Sequence, residues 1–155
     1  MRRRRAEVRP LVADSRYNNV IAGKFINFLM WDGKKYLAEH LFYDALKIIE
    51  EKTNQPGTAI LSQAINNVKP AVEVRSRRVG GATYQVPVEV RASRRLSLGI
   101  RWIIRAAREK KGRPMSETLA EELILASKKE GSAFKRHEDT HKMAEANKAF
   151  SHYRW

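Results

Sequence analysis

The chain has 155 residues, no cysteine and a formal net charge of +14. This length predicts one domain with a core of its own, and a hydrophobic content of 43% excludes a chain that is disordered throughout. The lack of cysteine excludes disulfides and thiolate metal sites. No apolar run reaches membrane-spanning length, and Met1–Arg5 does not lead into the apolar segment of a secretory signal. We therefore expect a cytosolic protein.

The positive charge is concentrated in two segments. Residues 1–16 contain six arginines and two acidic residues, and residues 69–113 contain thirteen Lys or Arg and three acidic residues. In the rest of the chain, basic and acidic residues balance at twelve each. Such concentration is typical of a polyanion site, and nucleic acid is the first candidate. A membrane surface is the competing polyanion, but the first segment lacks the apolar face of an interfacial helix.

Residues 1–17 are predicted to form a basic arm, and residues 18–155 a single helical domain. Like charges repel within the arm, so in free solution we expect a disordered basic tail. Against phosphates the arm would become ordered. The arginines expected to contact phosphates are Arg2, Arg3, Arg4, Arg5 and Arg9.

Apolar periodicity predicts three helices before residue 71. The first begins after Asn18 or Asn19, the second ends near Lys52, and the third runs from Thr58 to Pro70.

A glycine turn separates the first two predicted helices. Gly33 suits the left-handed conformation that ends a helix, and Lys34 and Lys35 follow at the start of the second helix. Positive charge is unfavourable at that end of a helix dipole. A bound anion would explain the two lysines, and ordinary solvation explains them almost as well.

Residues 71–90 are predicted to form a β-hairpin, because two valine-rich runs flank Gly80–Gly81. If the two glycines form a two-residue loop, Arg77 pairs with Tyr84. A loop of odd length would change every pairing. The other pairings on that face would be Arg75 with Val86 and Glu73 with Val88.

The composition of the hairpin fits an exposed ribbon. Pro87 cannot donate to the ladder, which favours a free-standing ribbon over a central strand. Three arginines near the tip would repel each other unless an anion received them. An exposed edge that only deters aggregation is the alternative. We expect nucleic-acid contacts from Arg75, Arg77 and Arg78.

A fourth helix, capped by Ser93, is predicted to end near Lys111. At about 100° per residue, its apolar residues lie on one side and four arginines lie in a narrow arc opposite. The arc contains no acidic residue, whereas a solvated helix face mixes acids and bases. We expect phosphates against this arc, and contiguity with the hairpin that precedes it. The arc, called the arginine stripe below, consists of Arg94, Arg101, Arg105 and Arg108.

Two further helices are predicted after residue 114. Ser116 caps the fifth helix and Gly131 ends it, while the sixth covers residues 135–148 and is polar on nearly all sides. The aromatics of residues 151–155 either stack on bases or pin the terminus to the core. The whole pattern is mainly α, a six-helix domain with one inserted hairpin. The apolar contacts expected near the C-terminus are Met143, Ala146 and Phe150.

Residues 137–141 match the pattern H-E-x-x-H, which on a helix presents two imidazoles to zinc and a glutamate as general base. The chemistry needs a third ligand, and His152 is the only histidine downstream. Basic residues flank the motif, although a zinc helix should be largely buried. We therefore reject a metalloprotease. No P-loop, nucleophile elbow or dinucleotide-binding turn occurs, so we expect neither an enzyme nor a cofactor.

The hairpin segment Val74–Val90 closely resembles the signature of the small-subunit ribosomal protein seven family, in its bacterial or organellar form. A match over this whole segment is far more specific than the short zinc pattern. The likeness covers essentially the whole chain. Further matching segments are Arg2–Arg5, Asp32–Lys35, Asn67–Pro70, Met143–Asn147 and His152–Trp155.

The resemblance implies six helices with a two-stranded β-hairpin between helices three and four. It also implies a structural constituent of the small ribosomal subunit that binds 16S ribosomal RNA in the 3′ major domain and nucleates head assembly. Small-subunit ribosomal proteins nine and eleven would be its neighbours. Charge alone does not distinguish ribosomal RNA from DNA, so a DNA-binding or nucleoid protein is the alternative. The residues that the resemblance places near exit-site tRNA and messenger RNA are Arg77, Arg78, Gly80, Gly81 and Tyr84.

Overall fold

The computed structural model describes residues 4, 6–7 and 9–153. In this part of the chain, a two-stranded hairpin lies between the third and fourth of six α-helices, which confirms the predicted fold class. None of these helices is long and apolar enough to span a membrane. The strands are β1 (Val72–Val79) and β2 (Ala82–Glu89). The helices are α1 (Val20–Leu29), α2 (Lys35–Thr53), α3 (Gly57–Val68), α4 (Ala92–Glu109), α5 (Met115–Ser127) and α6 (Gly131–Ala146), followed by a 3₁₀ helix (Lys148–Tyr153).

The core is organised around α5, which contacts α2, α3, α4 and α6. Leu119 and Leu123 of α5 are fully buried, and each such leucine stabilises the fold by about 1.5–3 kcal/mol. Glu122 of α5 is buried as well, and its Oε1 accepts from the N–H of Ala133 in α6 (2.9 Å). Its Oε2 lies 3.0 Å from Nζ of Lys110, an electrostatic contact whose geometry is poor for a hydrogen bond. Glu122 therefore ties α5 to both the end of α4 and the start of α6.

Asn19 caps α1. Its Oδ1 accepts from the N–H groups of Ile21 (2.8 Å) and Ala22 (3.4 Å), which satisfies two donors of the first turn. Asn18 precedes the cap with a φ of 46°. Of the two predicted candidates, Asn19 is therefore the cap.

The predicted cap of α4, Ser93, is wrong. The helix begins at Ala92, with Arg91 at the cap position and no side-chain hydrogen bond there. The N–H of Val90 still donates to the carbonyl of Ala71 at the base of the hairpin (3.0 Å). The chain turns into the helix directly after this last hairpin bond, which places Ser93 within the first turn.

The predicted cap of α5, Ser116, is also wrong. The helix begins at Met115, directly after Pro114, whose φ of −56° is already compatible with a helix. The carbonyl of Pro114 accepts from the N–H of Thr118 (3.2 Å) and so begins the helical ladder. Ser116 is consequently the second helical residue.

The connection between α5 and α6 differs from the prediction. The sequence predicts that Gly131 ends α5, but α5 ends at Ser127 and Gly131, with a φ of 88°, is the first residue of α6. The helix therefore begins four residues before the predicted start at residue 135 and ends at Ala146, before the predicted end at 148. The physical reason is the buried Glu122 carboxylate, which satisfies an N–H of the first turn of α6.

The apolar contacts of the C-terminal region are mostly different from those predicted. Ala133 and Ala144 are the buried residues of α6, whereas Met143 is 52% exposed and Ala146 is also exposed. Small alanines on the inner face let α6 approach its neighbours closely, and the methionine is left on the outer face. Phe150 does make an apolar contact, but from the 3₁₀ helix onto the hairpin.

The register of the hairpin is the predicted one. Gly80 and Gly81 have φ of 57° and 90°, as a two-residue hairpin loop of type I′ requires. Arg77 lies opposite Tyr84, and the remaining pairs follow from that. They include Arg75 with Val86 and Glu73 with Val88.

The prediction of a free-standing ribbon is wrong. α6 contacts both strands, and the 3₁₀ helix contacts β2. The Tyr84 ring lies 5.4 Å from that of Phe150 and 4.9 Å from that of Tyr153, and Val86 on the same face is fully buried. An apolar face of this kind is covered because an isolated two-stranded ribbon is only marginally stable in water. Tyr153 thus packs on the ribbon, whereas Trp155 lies outside the described residues.

Candidate nucleic-acid interface

A shared carboxylate joins the hairpin to α4. The guanidinium of Arg75 lies 2.6 Å from Oε1 of Glu73 on the same strand. From the first turn of α4, Nε of Arg94 donates to Oε2 of Glu73 at 3.0 Å. The predicted contiguity of the hairpin and the arginine stripe is therefore confirmed.

The environment of Glu73 keeps it ionised. Partial burial by itself raises the pKa of this carboxyl, but hydrogen bonds from Arg75 and Arg94 outweigh that effect, and the net pKa lies below its usual value. Glu73 consequently remains an anion at neutral pH and fixes the spacing of two arginines.

Two arginines of the hairpin and two at the start of α4 line a common groove of about 680 Å³. The backbone of residues 88–90 forms its wall. Arg78 lies on the opposite face of the hairpin, opposite Thr83, so the three predicted hairpin arginines do not share one face. The arginines of the groove are Arg75, Arg77, Arg91 and Arg94.

The arginine stripe of α4 is exposed, as predicted, but it is not free of acids. Nε of Arg105 donates to Glu109 at 3.0 Å, an i,i+4 pair on the same helix, and Arg94 is paired with Glu73 of the hairpin. The prediction of an acid-free stripe is therefore wrong: Glu109 lies just beyond the arc, and Glu73 is brought in by the fold. The Arg105 pair is exposed at both ends, so it contributes little stability.

Two stripe arginines rest on aromatic rings of the α1 region. The guanidinium of Arg101 lies over Phe28, 5.0 Å from the ring centroid, and that of Arg108 lies over Trp31 at 5.1 Å. Arg108 also donates to the carbonyl of Leu29 (3.0 Å) at the C-terminus of α1. These contacts hold the guanidinium groups in defined positions on the surface.

Several residues of this surface escaped the sequence analysis. Phe28, Leu98, Trp102 and Arg136 line a cleft of about 450 Å³ together with three arginines of the stripe. A signal for part of the set exists, because Leu98 and Trp102 lie four and eight residues after Arg94 and so form an apolar row beside the arginines. Arg136 belongs to α6 and arrives only through tertiary packing.

The two lysines after α1 are exposed. Asp32 and Gly33 make the turn with φ of 51° and 74°. Lys34 follows at the cap position of α2, and Nζ of Lys35 lies 3.8 Å from Glu39 in an i,i+4 pair. With Trp31 and Arg108, Lys34 lines a pocket of about 290 Å³, which places it beside the end of the arginine stripe.

The predicted arm is described only in part. Arg4 and Arg9 are exposed. Arg2, Arg3 and Arg5 lie outside the described residues.

The base of the arm is attached to the helical domain through Asp14. This buried carboxylate accepts from the N–H of Tyr17 (3.0 Å) and from the hydroxyl of Tyr43 in α2 (2.5 Å). Burial and the bond to Asp14 raise the pKa of Tyr43. Gly23 of α1 allows the close approach, because a Cβ there would lie 2.5 Å from the carbonyl oxygen of Val12.

The histidines of the H-E-x-x-H pattern bind the backbone near the hairpin. Nε2 of His141 accepts from the N–H of Ala71 (3.2 Å), and Nδ1 of His137 donates to the carbonyl of Val68 (3.2 Å). Their ring centroids are 4.3 Å apart. Burial and the neighbouring His141 lower the pKa of His137. Over residues 4, 6–7 and 9–153, no cluster of three or more His, Asp or Glu side chains is arranged to hold a metal ion.

The described fold and surface define a class: a basic, mainly helical protein whose hairpin and α4 present arginines to a polyanion. Comparisons with known proteins make the assignment narrower. A family model described as ribosomal protein S7p/S5e matches residues 1–148. The chain therefore belongs to the ribosomal protein S7p/S5e family, which confirms the resemblance seen in the hairpin segment.

The chain is similar over its full length to several curated relatives, each named small ribosomal subunit protein uS7. The protein of Thermotoga petrophila is 58% identical over 155 residues, and that of Nautilia profundicola is also 58% identical over 155 residues. The protein of a Nitratiruptor species is 60% identical over 156 residues. The alignments cover 100% of this chain and 100% of each relative.

Proposed function

We propose that this ribosomal protein is a constituent of the small ribosomal subunit, that it binds 16S ribosomal RNA directly in the 3′ major domain, and that it nucleates assembly of the head. The observation that carries the proposal is the Glu73 bridge. It joins Arg75 of the hairpin to Arg94 of α4, so that two basic elements form one surface. Family membership supports the ribosomal part of the proposal, and it favours a structural role over a catalytic one in the ribosome of the cytoplasm.

Binding by this surface depends mainly on phosphate neutralisation. Most of the available groups are guanidinium groups, which pair with phosphate oxygens in bidentate geometry and carry little base information. With roughly eight phosphate contacts, affinity falls by about three to five decades between about 50 and 200 mM salt. The proposed contacts are Arg2, Arg3, Arg4, Arg5, Arg9, Lys34, Lys35, Arg75, Arg77, Arg78, Arg94, Arg101, Arg105 and Arg108.

A competition experiment tests the RNA proposal. The full chain is titrated with a transcript of the 3′ major domain at several salt concentrations, with duplex DNA of equal length as competitor. We expect tight binding with the steep salt dependence above, and DNA in large excess should not displace the transcript. Equal affinity for duplex DNA would contradict the proposal and favour a nucleoid protein, while binding that changes little with salt would exclude a phosphate-based interface.

For the hairpin we propose a separate role at the exit site, near tRNA and messenger RNA. Gly80 and Gly81 are exposed at the tip, and Arg78 is exposed on the face opposite Tyr84, away from the covering 3₁₀ helix. In reconstituted subunits, Arg77→Ala with Arg78→Ala should weaken exit-site tRNA retention more than head assembly. Arg101→Ala with Arg105→Ala is the matched control and should impair assembly first. Equal assembly defects in both variants would refute a separate role.

The neighbours proposed for the assembled subunit are small-subunit ribosomal proteins nine and eleven. The division into an arm of residues 1–17 and a domain of residues 18–155 likewise stays a prediction.

A further inference from the structure

The cleft beside the arginine stripe, lined by Phe28, Leu98 and Trp102, has a composition that phosphate binding does not require. Its floor is apolar and aromatic, and all three side chains are half-buried. Arg101 lies over Phe28 on one side, and Arg136 of α6 lies over Trp102 on the other, 5.8 Å from the ring centroid. Phosphates need cations but no apolar floor, so the cleft is suited to a ligand that is both planar and anionic at its edges.

We propose that this cleft takes one unpaired nucleobase of the bound RNA. The base lies between the guanidinium planes of Arg101 and Arg136, against the edge of Trp102, while Arg105 and Arg108 hold the adjacent phosphates. The inference rests on the proposed RNA-binding function and adds a base-recognition subsite to it. A volume of about 450 Å³ is within the range of small-ligand sites.

RNA offers the chemistry that this cleft fits. Unpaired bases of loops and bulges are recognised by stacking on aromatic rings and on arginine planes, which is the combination present here. Within the described residues, neither Arg101 nor Arg136 has a carboxylate within ion-pair distance, so both cations are available to an anion. The cleft is also continuous with the rest of the stripe through Arg105 and Arg108, and a nucleic-acid backbone can follow it.

A double-mutant cycle across the interface tests the inference. The protein change is Trp102→Leu, which keeps an apolar side chain but removes the indole. The RNA change is an abasic residue, introduced in turn at each unpaired position of the 3′ major domain transcript. At one position we expect that Trp102→Leu and the abasic residue each weaken binding about five- to fiftyfold and that combining them costs little more.

Arg136→Gln provides a second variant that does not alter the core. It should show the same non-additivity at the same nucleotide. Lys142→Gln, a matched loss of charge at an exposed position of α6, should add independently at every position. Thermal unfolding of each variant establishes that the compared proteins are folded.

A fluorescence measurement needs no change in the cleft. In a chain with Trp31→Phe and Trp155→Phe, Trp102 is the sole tryptophan. Binding of the transcript should protect Trp102 from iodide, and the protection should be lost with the one abasic transcript identified above. The affinity of this chain for the unmodified transcript is measured first as its reference.

The outcomes separate the inference from the function on which it rests. If the wild-type chain does not bind the transcript, the proposed function fails. If it binds, but every abasic position is additive with Trp102→Leu and Trp102 stays open to iodide, the base subsite is overturned and RNA binding stands. Protection of Trp102 by an acidic peptide from another subunit protein, with none from RNA, would likewise overturn the base subsite.

Discussion

Individual carboxylates set the geometry of the basic surface. Glu73 holds Arg75 and Arg94 at a fixed spacing, and Glu109 restrains Arg105. These acids neutralise only a small part of the excess charge, since the chain still carries a formal +14. Their physical effect is to reduce the rotamer freedom of long side chains before a ligand arrives, which lowers the entropy cost of ordering them on binding.

At the residue scale we predict a pH dependence of stability that arises from His137. Burial and the neighbouring His141 lower its folded-state pKa, whereas an unfolded histidine has a pKa of about 6.5. Between these two values the unfolded chain binds more protons than the folded chain. The stability is therefore complete above about pH 6.5 and is lost as the pH falls toward the folded-state pKa.

Urea unfolding at a series of pH values measures this effect. For wild type, the free energy of unfolding should decrease as the pH is lowered from about 7.5 to 5, and His137→Gln should reduce that decrease. The control is His40→Gln, which changes an exposed histidine packed on Tyr36 in α2 and should leave the wild-type dependence intact. Identical pH profiles for His137→Gln and wild type would show that His137 does not contribute.

At the scale of elements, the hairpin depends on the C-terminal segment. The ring contacts of Tyr84 with Phe150 and Tyr153 attach β2 to the 3₁₀ helix, and the bond from Ala71 N–H to His141 attaches the hairpin base to α6. Two strands alone provide too little burial to be stable. The position of the hairpin relative to α4 is therefore set by elements that follow it by some sixty residues in the chain.

We predict that Tyr84 and Phe150 are energetically coupled. A cycle of Tyr84→Leu, Phe150→Leu and the double variant should give a coupling free energy of about 0.5–1.5 kcal/mol, the range for aromatic pairs beyond their burial. Amide hydrogen exchange should accelerate in β1 and β2 in both single variants, because the ribbon opens locally when its cover is weakened. Tyr36→Leu, at a 74% exposed position, is the control and should leave ribbon exchange unchanged. Additive effects with unchanged exchange would mean that the contact does not hold the ribbon.

The parts of the fold predictable from sequence are those fixed by local chemistry. Adjacent glycines at 80–81 determine a two-residue loop, and the loop length determines every pair in the hairpin. Helix starts were less predictable, because Ser93 and Ser116 carry the right side chains but the backbone had already turned at Arg91 and Pro114. The early start of α6 depends on Glu122, a buried charge eleven positions before Ala133 that no local pattern identifies.

The candidate site divides in the same way. The arginine stripe follows from helical periodicity, and the Arg105–Glu109 pair could have been recognised from its i,i+4 spacing. The bridge from Arg94 to Glu73 and the placement of Arg136 over Trp102 depend on how separate elements pack. Tertiary contacts of this kind leave no periodic signal in the sequence.

For the whole molecule, the distribution of charge matters more than its total. The block of residues 69–113 contains thirteen basic and three acidic residues, and the fold joins its two halves at Glu73. A localised positive surface focuses the electrostatic field and releases counterions where the polyanion lies. A charge of the same size elsewhere on the surface acts only through the screened long-range field, which decays over about 10 Å at 0.1 M salt.

This distinction predicts a specific change in salt dependence. Arg101→Gln with Arg105→Gln removes two exposed charges of the stripe, so the slope of log K against log salt for the 3′ major domain transcript should become shallower by roughly 2. Lys47→Gln with Lys128→Gln removes the same charge at exposed positions outside both basic segments and should leave the slope nearly unchanged. Fluorescence anisotropy at five or so salt concentrations measures both slopes. Equal decreases in the two variants would show that net charge, and not its position beside the hairpin, determines binding.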